Sequence, residues 1–270
     1  MAIKQFRKHT FQIIEAMHHC HEALIGCRSE KETVHDLRVS IRRLMPVMNV
    51  LIRLEDDKQE IIDLKTHQKR CKGVFKALSA PRDLEVQIQL AASLRTLQDW
   101  PELLIQPYID DLCEEKHQLD EGIIPVVKAM NLTESTDFVC RKMRLLSCEK
   151  PRFREILDML HSRLEAKLRQ SFVRLKELPE HFHETRIMLK KYRYHVELEV
   201  AVQGNPPEKA RILKQIQDHL GDTNDLSVAL QLMKAHQVDS AVVADVEQLC
   251  HSHLERSVSY LFSCEAILWD

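Results

Sequence analysis

Hydrophobic residues recur at intervals of three or four positions along almost the whole chain, and this spacing is typical of amphipathic α-helices. Clusters of turn-forming and capping residues interrupt the pattern, and we expect helices to end and begin there. The interruptions fall at residues 26–33, 78–83, 99–102, 131–136, 148–151, 178–181, 203–208, 220–225 and 236–240. The pattern therefore predicts an all-α fold of about ten helices, with almost no β-strand.

Some residues within the helical pattern bear on these boundaries. Pro46 and Pro125 lie inside helical stretches and could kink or end them. In LGDTND, residues 220–225, Gly221 is expected to close one helix in the left-handed conformation, and the polar residues after it are expected to cap the next helix. The aspartates of this segment could instead hold Mg²⁺ for phosphoryl transfer, but capping is the favoured interpretation.

The chain carries an internal repeat. VHDLRVSIRRL, residues 34–44, and FHETRIMLKKY, residues 182–192, share residue types at an offset of 148 positions. LSAPRDLEV, residues 78–86, and LGDTNDLSV, residues 220–228, match at an offset of 142 positions. Two pairs of matching segments in the same order indicate a tandem duplication.

This duplication predicts one domain with two related halves. We expect a single domain over residues 1–270, made of repeat 1 (1–135) and repeat 2 (136–270). Each repeat is expected to form a helical bundle, and the two bundles are expected to be related by pseudo-symmetry. A chain of 270 residues is long enough to bury a substantial hydrophobic core.

The composition fits a helical protein of the cytoplasm. Only 5 residues are glycine, 44% are hydrophobic and 30% are charged. The 8 cysteines are scattered without a CxxC pair, which favours reduced thiols in the core of a cytoplasmic protein. The N-terminus lacks an apolar signal segment and charges interrupt every long hydrophobic stretch, so we expect neither export nor a membrane span.

Positive charge is concentrated in three segments, although the formal net charge is −2. Residues 31–43 hold 4 Lys or Arg against 2 acids, residues 65–76 hold 5 against none, and residues 183–194 hold 4 against 1. At helical spacing, basic residues of each segment share a face that is distinct from the hydrophobic stripe. The rows comprise His35, Arg38, Arg42 and Arg43; Lys65, Lys69, Lys72 and Lys76; and His183, Arg186, Lys190, Arg193 and Tyr194.

Rows of like charge point to an anionic ligand. Burying unpaired cations is strongly unfavourable, and like charges four residues apart on a helix repel. A row without acids must therefore face water or an anion. Because basic side chains on successive turns climb a helix by about 5 Å per turn, several helices would form an extended track that fits a linear polyanion. A plain solvated face remains the alternative interpretation.

The two repeated histidines allow two interpretations. His35 and His183 could donate hydrogen bonds to a carboxylate of the paired turn motif, such as Asp83 or Asp225. They could instead contact the anion directly. Direct contact predicts tighter binding of a polyanion at about pH 6 than at about pH 8, because a protonated imidazole adds positive charge.

The segments HDLRVSIRRL, HETRIMLKKYRYHVE and QDHLGDTND together resemble the CHAD family, the conserved histidine α-helical domains. The resemblance extends over nearly the whole chain. It implies an all-helical, pseudo-symmetric fold around a central basic cleft or pore that binds inorganic polyphosphate. It further implies binding without catalysis and without a cofactor, often at polyphosphate granules in the cytoplasm.

The resemblance also implies which residues contact the ligand. The second repeat departs from the first, because Asp218 stands at the position equivalent to Lys76, so unequal contributions from the two repeats are expected. Glu197 is expected to pair with Arg193 four residues earlier. The resemblance supports His35, Arg38, Arg42 and Arg43 in repeat 1, and His183, Arg186, Lys190, Lys191 and Tyr194 in repeat 2. The remaining expected contacts are Lys65, Lys69, Lys72, Lys76 and Arg193, with Arg211 and Lys214 as counterparts of Lys69 and Lys72.

Two other functions use the same residue types. A nucleic-acid-binding module would employ the same cations, but only 5% of the residues are aromatic and few of these could stack on bases. A metal-dependent polyphosphate-processing enzyme would need a catalytic motif, and none is found.

In MHHCHEALIGC, residues 17–27, His18 and His21 share a face without further ligands to complete a set, so no metal site is expected.

Overall fold

The computed structural model describes residues 2–26, 32–178, 181–204 and 206–269. Within these ranges the chain is almost entirely α-helical and contains no β-strand, which confirms the predicted all-α fold. Ten long helices are followed by a helix of 5 residues. They are α1 (Ala2–Ile25), α2 (Thr33–Leu54), α3 (Lys58–Ala77), α4 (Ser79–Leu97), α5 (Glu102–Ala129), α6 (Leu132–Leu145), α7 (Lys150–Glu177), α8 (Phe182–Gln203), α9 (Glu208–Ala235), α10 (Ser240–Ser263) and α11 (Glu265–Trp269).

Side-chain caps define several helix starts. Asn131 precedes α6 in the left-handed conformation, with φ of 46°, and its Oδ1 accepts a hydrogen bond from the Glu134 amide. Asp239 caps α10 in the same manner by accepting from the Ala241 amide at 2.9 Å. Asp57 caps α3 at a boundary that the sequence analysis missed. These caps satisfy amide groups that have no partner inside the helix.

Eight of the nine expected interruptions separate helices, but the one at residues 220–225 is wrong. Helix α9 runs through this segment, and Gly221 is not among the residues with positive φ. The hydroxyl of Thr223 donates to the His219 carbonyl one turn earlier and lies 2.8 Å from the Ser257 hydroxyl of α10. The polar side chains of the segment thus bond within α9 and to its neighbour, and they do not cap a new helix.

The prolines and cysteines also allow a comparison with the sequence. Helices α2 and α5 continue through Pro46 and Pro125, so neither proline ends its helix. Cys27 lies outside the described residues, as do parts of the interruptions at residues 26–33, 178–181 and 203–208. The seven other cysteines are free thiols. The expectation of core thiols is met by Cys20, Cys71 and Cys264, which are buried, whereas Cys113 is exposed.

The helices form two compact units whose boundaries fall inside α5, α7 and α8. Unit 1 comprises Met1–Ser79, Gly122–Lys167 and Lys191–Pro207, and unit 2 comprises Ala80–Glu121, Leu168–Lys190 and Glu208–Asp270. Each unit therefore draws on three separate stretches of sequence. The predicted division into repeat 1 and repeat 2 stays a prediction.

In unit 1, helix α1 packs against α2 and α6, and α3 packs against α2 and α6. The buried core includes Phe6, Leu37, Leu44 and Phe153, and the rings of Phe6 and Phe153 lie 5.2 Å apart. Aromatic and branched side chains of this size supply most of the hydrophobic stabilisation of a helical unit. The basic faces of α2 and α3 are thus carried by helices whose other faces are held in this core.

In unit 2, helix α9 packs along α10, and α11 packs against both. Its core contains Trp100, Ile105 and Met233, and the Trp100 indole nitrogen donates to an Asp245 carboxylate oxygen at 2.9 Å. Burial of an indole is favourable when its N–H finds such an acceptor.

None of the helices in the described part of the chain is long and apolar enough to cross a membrane.

Candidate functional site

Phe75 of α3 brings together two arginines of α2. The guanidinium carbon of Arg38 lies 4.8 Å from the centroid of the Phe75 ring, and that of Arg42 lies 4.7 Å from it. The ring face attracts cations, and this attraction offsets the repulsion between two arginines one turn apart. The contact joins the basic rows of α2 and α3 into one surface, which we call the α2–α3 basic face. It consists of Arg38, Arg42, Arg43, Lys65, Lys69, Lys72 and Lys76.

Arg38 is the anchored member of this face. Its side chain is buried, and its Nη1 atom donates to the backbone carbonyls of Leu78 at 2.8 Å and Ser79 at 3.0 Å. These carbonyls lie at the end of α3, where the helix dipole favours a cation. Arg38 therefore fastens α2 to the end of α3, whereas Arg42 is half-buried and Arg43 is exposed.

The four lysines of the basic row on α3, which are Lys65, Lys69, Lys72 and Lys76, are all exposed. They extend over three helical turns, or roughly 16 Å along the helix. Lys72 donates to the Gln68 side chain at 3.0 Å, and Gln68 in turn donates to Asn49 of α2 at 2.8 Å. No acidic residue occurs between Asp63 and Asp83, so these lysines have no acid beside them in their own part of α3.

The opposite side of α3 uses its polar residues for packing. Arg70 forms an ion pair with Glu134 of α6 at 2.8 Å. The ring of His67 stacks on Phe138 of α6, and its Nδ1 atom lies 3.2 Å from the Ser135 hydroxyl. These contacts fix the orientation of α3, which leaves its lysines on the exposed side.

Glu197 of α8 lies between two arginines of unit 1. Its Oε1 atom accepts a hydrogen bond from Arg193, and its Oε2 atom lies 3.6 Å from the Arg43 Nε atom. The Arg193–Glu197 pair expected from the sequence is confirmed. Arg193 and Tyr194 are both buried, and the Arg193 guanidinium carbon lies 4.2 Å from the centroid of the Tyr194 ring. Lys191 on the same helix is exposed.

In unit 2, His183 contacts the segment of residues 220–228, the second copy of the repeated turn motif. Its Nδ1 atom lies 3.0 Å from the Asn224 side-chain oxygen. Because that oxygen only accepts, the Nδ1–H of His183 donates. The partner is the Asn224 amide and not the Asp225 carboxylate. His183 is exposed, whereas His35 on α2 of unit 1 is half-buried.

The other expected contacts of unit 2 differ from the lysines of α3. Arg211 is held by Glu208 through two hydrogen bonds of 3.1 and 2.6 Å, and Lys214 donates to Asp218 at 2.8 Å. Both cations are exposed, but each is neutralised by an acid on its own helix. Arg186 and Lys190 of α8 are half-buried. Arg211 and Lys214 of α9 are therefore paired with acids on their own helix, whereas the lysines of the basic row on α3 are not. The cleft predicted between the repeats stays a prediction.

A cluster of metal-ligand type was missed by the sequence analysis. His161 of α7 and His195 and Glu199 of α8 each place one candidate ligand atom within 4.8 Å of the others. Burial raises the pKa of Glu199, but hydrogen bonds with His161 and His195 outweigh burial and lower it below the ordinary value. Only the spacing of His195 and Glu199 by four residues was visible in the sequence, because His161 lies 38 positions before Glu199.

The chain is an all-helical domain in which a histidine is followed by basic residues on α2 and again on α8. A family model described as the CHAD domain matches residues 12–234, and the chain therefore belongs to the CHAD domain family. This confirms the family resemblance seen in the sequence.

Two solved structures share the fold. The crystal structure of the CHAD domain from the plant Ricinus communis superimposes with a TM-score of 0.64 at 19% sequence identity, over 99% of this chain and 87% of that one. PptA from Streptomyces chartreusis superimposes with a TM-score of 0.64 at 14% identity, over 99% of both chains. No curated protein gives a significant match to this chain.

Proposed function

We propose that this protein binds inorganic polyphosphate through its basic helix faces and does not transform it. The observation that supports this most directly is the α2–α3 basic face. There, four exposed lysines of one helix adjoin two arginines held on Phe75, in a stretch of α3 that contains no acid. His183 and the cations of unit 2 would add to the contacts with polyphosphate, and Arg211 and Lys214 would contribute less than the others.

The form of the basic face suits a linear polymer of phosphates. Lysines four residues apart are separated by about 6 Å along the helix, so each can meet a different phosphate of an extended chain. Lysine acts as a compact charge, while arginine offers a fork of donors to two oxygens. A polyanion would also relieve the mutual repulsion of the lysines.

Nucleic acid is the weaker candidate because the face offers no ring on which a base could stack. The Phe75 ring is contacted by two guanidinium groups, and Tyr194 is buried beneath Arg193. Proteins that bind single strands combine cations with aromatic platforms that are open to bases. Polyphosphate needs the cations alone.

Binding without turnover follows from the uniformity of the contacts. A row of similar cations stabilises every phosphate of the polymer about equally. Such uniform binding lowers the free energy of the bound polymer without favouring a transition state at one bond. We therefore expect no release of orthophosphate when the protein is incubated with polyphosphate and Mg²⁺ or Mn²⁺. Metal-dependent release would support the enzyme alternative.

A charge-reversal pair of variants tests the binding face. The variant Lys69→Glu, Lys72→Glu, Lys76→Glu should bind long-chain polyphosphate at least ten-fold more weakly in fluorescence anisotropy at about 0.15 M salt. The control Lys128→Glu, Arg144→Glu, Lys150→Glu changes the same number of exposed charges of unit 1 and should lose less than about three-fold. Equal losses in the two variants would contradict the assignment of the face.

Competition and salt dependence separate the ligands. We expect affinity for polyphosphate to fall steeply with salt, because each phosphate contact releases counterions. RNA at equal phosphate concentration should displace polyphosphate poorly, and effective displacement would favour the nucleic-acid alternative.

The same polymer binding would hold the protein at polyphosphate granules in the cytoplasm. A fluorescent fusion that stays away from stained granules would contradict that location.

A further inference from the structure

The cluster of His161, His195 and Glu199 lies inside unit 1, and none of its residues belongs to the α2–α3 basic face. His161 belongs to the part of α7 in unit 1, and the other two residues belong to the part of α8 in the same unit. Their side chains are 25%, 2% and 7% exposed, respectively. The groups are therefore held in packed surroundings, unlike the histidines of an ordinary helix surface.

The three ligand atoms lie within 4.8 Å of one another. The His161 Nδ1 atom lies 2.7 Å from one carboxylate oxygen of Glu199, and the His195 Nε2 atom lies 3.5 Å from the other. Ligands of a tetrahedral zinc ion, each about 2.0 to 2.2 Å from the metal, stand roughly 3.3 Å from one another. Small rotations of the side chains would bring all three atoms to that spacing.

The groups around His161 hold it in the required orientation. Its Nε2 atom lies 3.1 Å from the Glu165 carboxylate and 3.0 Å from the Tyr192 hydroxyl, which itself donates to Glu165 at 3.2 Å. A metal-binding histidine commonly donates its second N–H to a carboxylate in this way. Without a metal, the His161 Nδ1–H donates to the Glu199 carboxylate at 2.7 Å, and a bound cation would replace this proton while Nε2–H donates to Glu165.

His195 would have to release a weak contact. Its Nε2 atom is also 3.4 Å from the Leu157 carbonyl oxygen, a long distance for a hydrogen bond. Coordination through Nε2 would require its proton to move to Nδ1 or to leave the ring. The second carboxylate nearby, Glu165, favours a divalent cation over a monovalent one.

We propose that His161 Nδ1, His195 Nε2 and the Glu199 carboxylate bind a divalent transition-metal ion, with Zn²⁺ as the best fit. Two imidazole nitrogens and one carboxylate oxygen form a ligand set that suits zinc and its neighbours in the first transition row. Three protein ligands leave a fourth position for water. The ion would fasten α7 to α8 within unit 1, and a metal that binds only the folded chain raises its stability.

Titration of the full-length chain tests this proposal directly. Protein treated with a chelator and freed of polyphosphate, which itself binds metals, is titrated with Zn²⁺ by calorimetry and with Co²⁺ by absorption spectroscopy. We expect one equivalent to bind, Co²⁺ bands of a four-coordinate site, and a higher melting temperature with Zn²⁺. The absence of binding by the wild-type chain would overturn the proposal.

Variants locate the bound ion. His195→Gln and His161→Gln should each weaken Zn²⁺ binding at least ten-fold and abolish the Co²⁺ bands. The control variant His18→Gln, His21→Gln removes the other histidine pair and should leave the Zn²⁺ affinity and the Co²⁺ bands unchanged. Far-ultraviolet circular dichroism checks folding, and if His195→Gln fails to fold, the more exposed His161→Gln decides. Unchanged binding in His161→Gln, or loss only in the control, would overturn the assignment.

Discussion

Glu197 of α8 reaches Arg43 of α2, with its Oε2 atom 3.6 Å from the arginine Nε atom. The same carboxylate accepts a hydrogen bond from Arg193. An acid of the protein itself thus lies beside the exposed guanidinium of Arg43. This internal carboxylate should compete with a bound polyanion.

Replacement of this carboxylate should therefore strengthen binding. We expect Glu197→Gln to raise the affinity for polyphosphate by about three-fold or more at low salt, because it removes a negative charge from a positive surface. Calorimetric titration at two salt concentrations measures the change. Glu155→Gln alters the charge equally at an exposed position of α7 and should have little effect. Weaker binding by Glu197→Gln would indicate that Glu197 instead positions the arginines for the ligand.

Phe75 should matter for both stability and binding. Phe75→Leu removes two cation–π contacts and part of the packing between α2 and α3, so we expect a loss of about 1 to 3 kcal/mol in the free energy of unfolding. The affinity for polyphosphate should fall several-fold because Arg42 is no longer held. Urea unfolding and anisotropy provide the two measurements. Phe75→Tyr retains the ring and should behave nearly as the wild type. An unchanged affinity in Phe75→Leu would show that the Phe75 ring does not contribute to polyphosphate binding.

The repeated histidines should make binding depend on pH. If these histidines contact the anion directly, as one of the two interpretations of the sequence holds, a protonated imidazole adds positive charge to the site. We expect binding two- to five-fold tighter at about pH 6 than at about pH 8, at constant ionic strength. The double variant His35→Gln, His183→Gln should show a smaller difference. An affinity that does not change with pH in the wild type would exclude both histidines from ligand contact.

Acid should weaken the connection between the α2–α3 loop and α6. The pKa of Glu55 is lowered chiefly by a hydrogen bond from Lys142, which also pairs with Glu60. A carboxylate with a lowered pKa stabilises the fold above its unfolded pKa, and this contribution is lost as the pH falls through the folded value. The melting temperature of the wild type should therefore fall more steeply between about pH 5 and pH 3 than that of Lys142→Met. Parallel curves for the two proteins would contradict this prediction.

The helices were predictable because their hydrophobic spacing is local. The error at residues 220–225 has a physical cause, since Thr223 uses the same hydroxyl to bond inside a helix that it would use to cap one. The boundary at Asp57 was missed because residues 55–57 are all acidic and contain no glycine, proline, serine or asparagine, at least one of which occurs in every predicted interruption. Short polar segments leave the choice between cap and helix to tertiary contacts.

The candidate site was predictable only in part. The α3 lysines could be assigned to an exposed face from their spacing alone, and all four are exposed. Burial of Arg38 against the end of α3 could not be foreseen, because it depends on where the Leu78 carbonyl lies in space. The same holds for His161 and His195, which are brought together by the packing of α7 and α8. Sequence spacing describes one helix, whereas these contacts join two.

The placement of the unit boundaries inside α5, α7 and α8 limits how the protein can be divided. No single cut in the gene yields a fragment that contains all of one unit and nothing of the other. A fragment ending at residue 135 would lack the third stretch of unit 1 and leave the first stretch of unit 2 without its partners. Deletion mapping with cuts between residues 80 and 207 would therefore report misfolding, so the contributions of the two units are better separated by point substitutions in the intact chain.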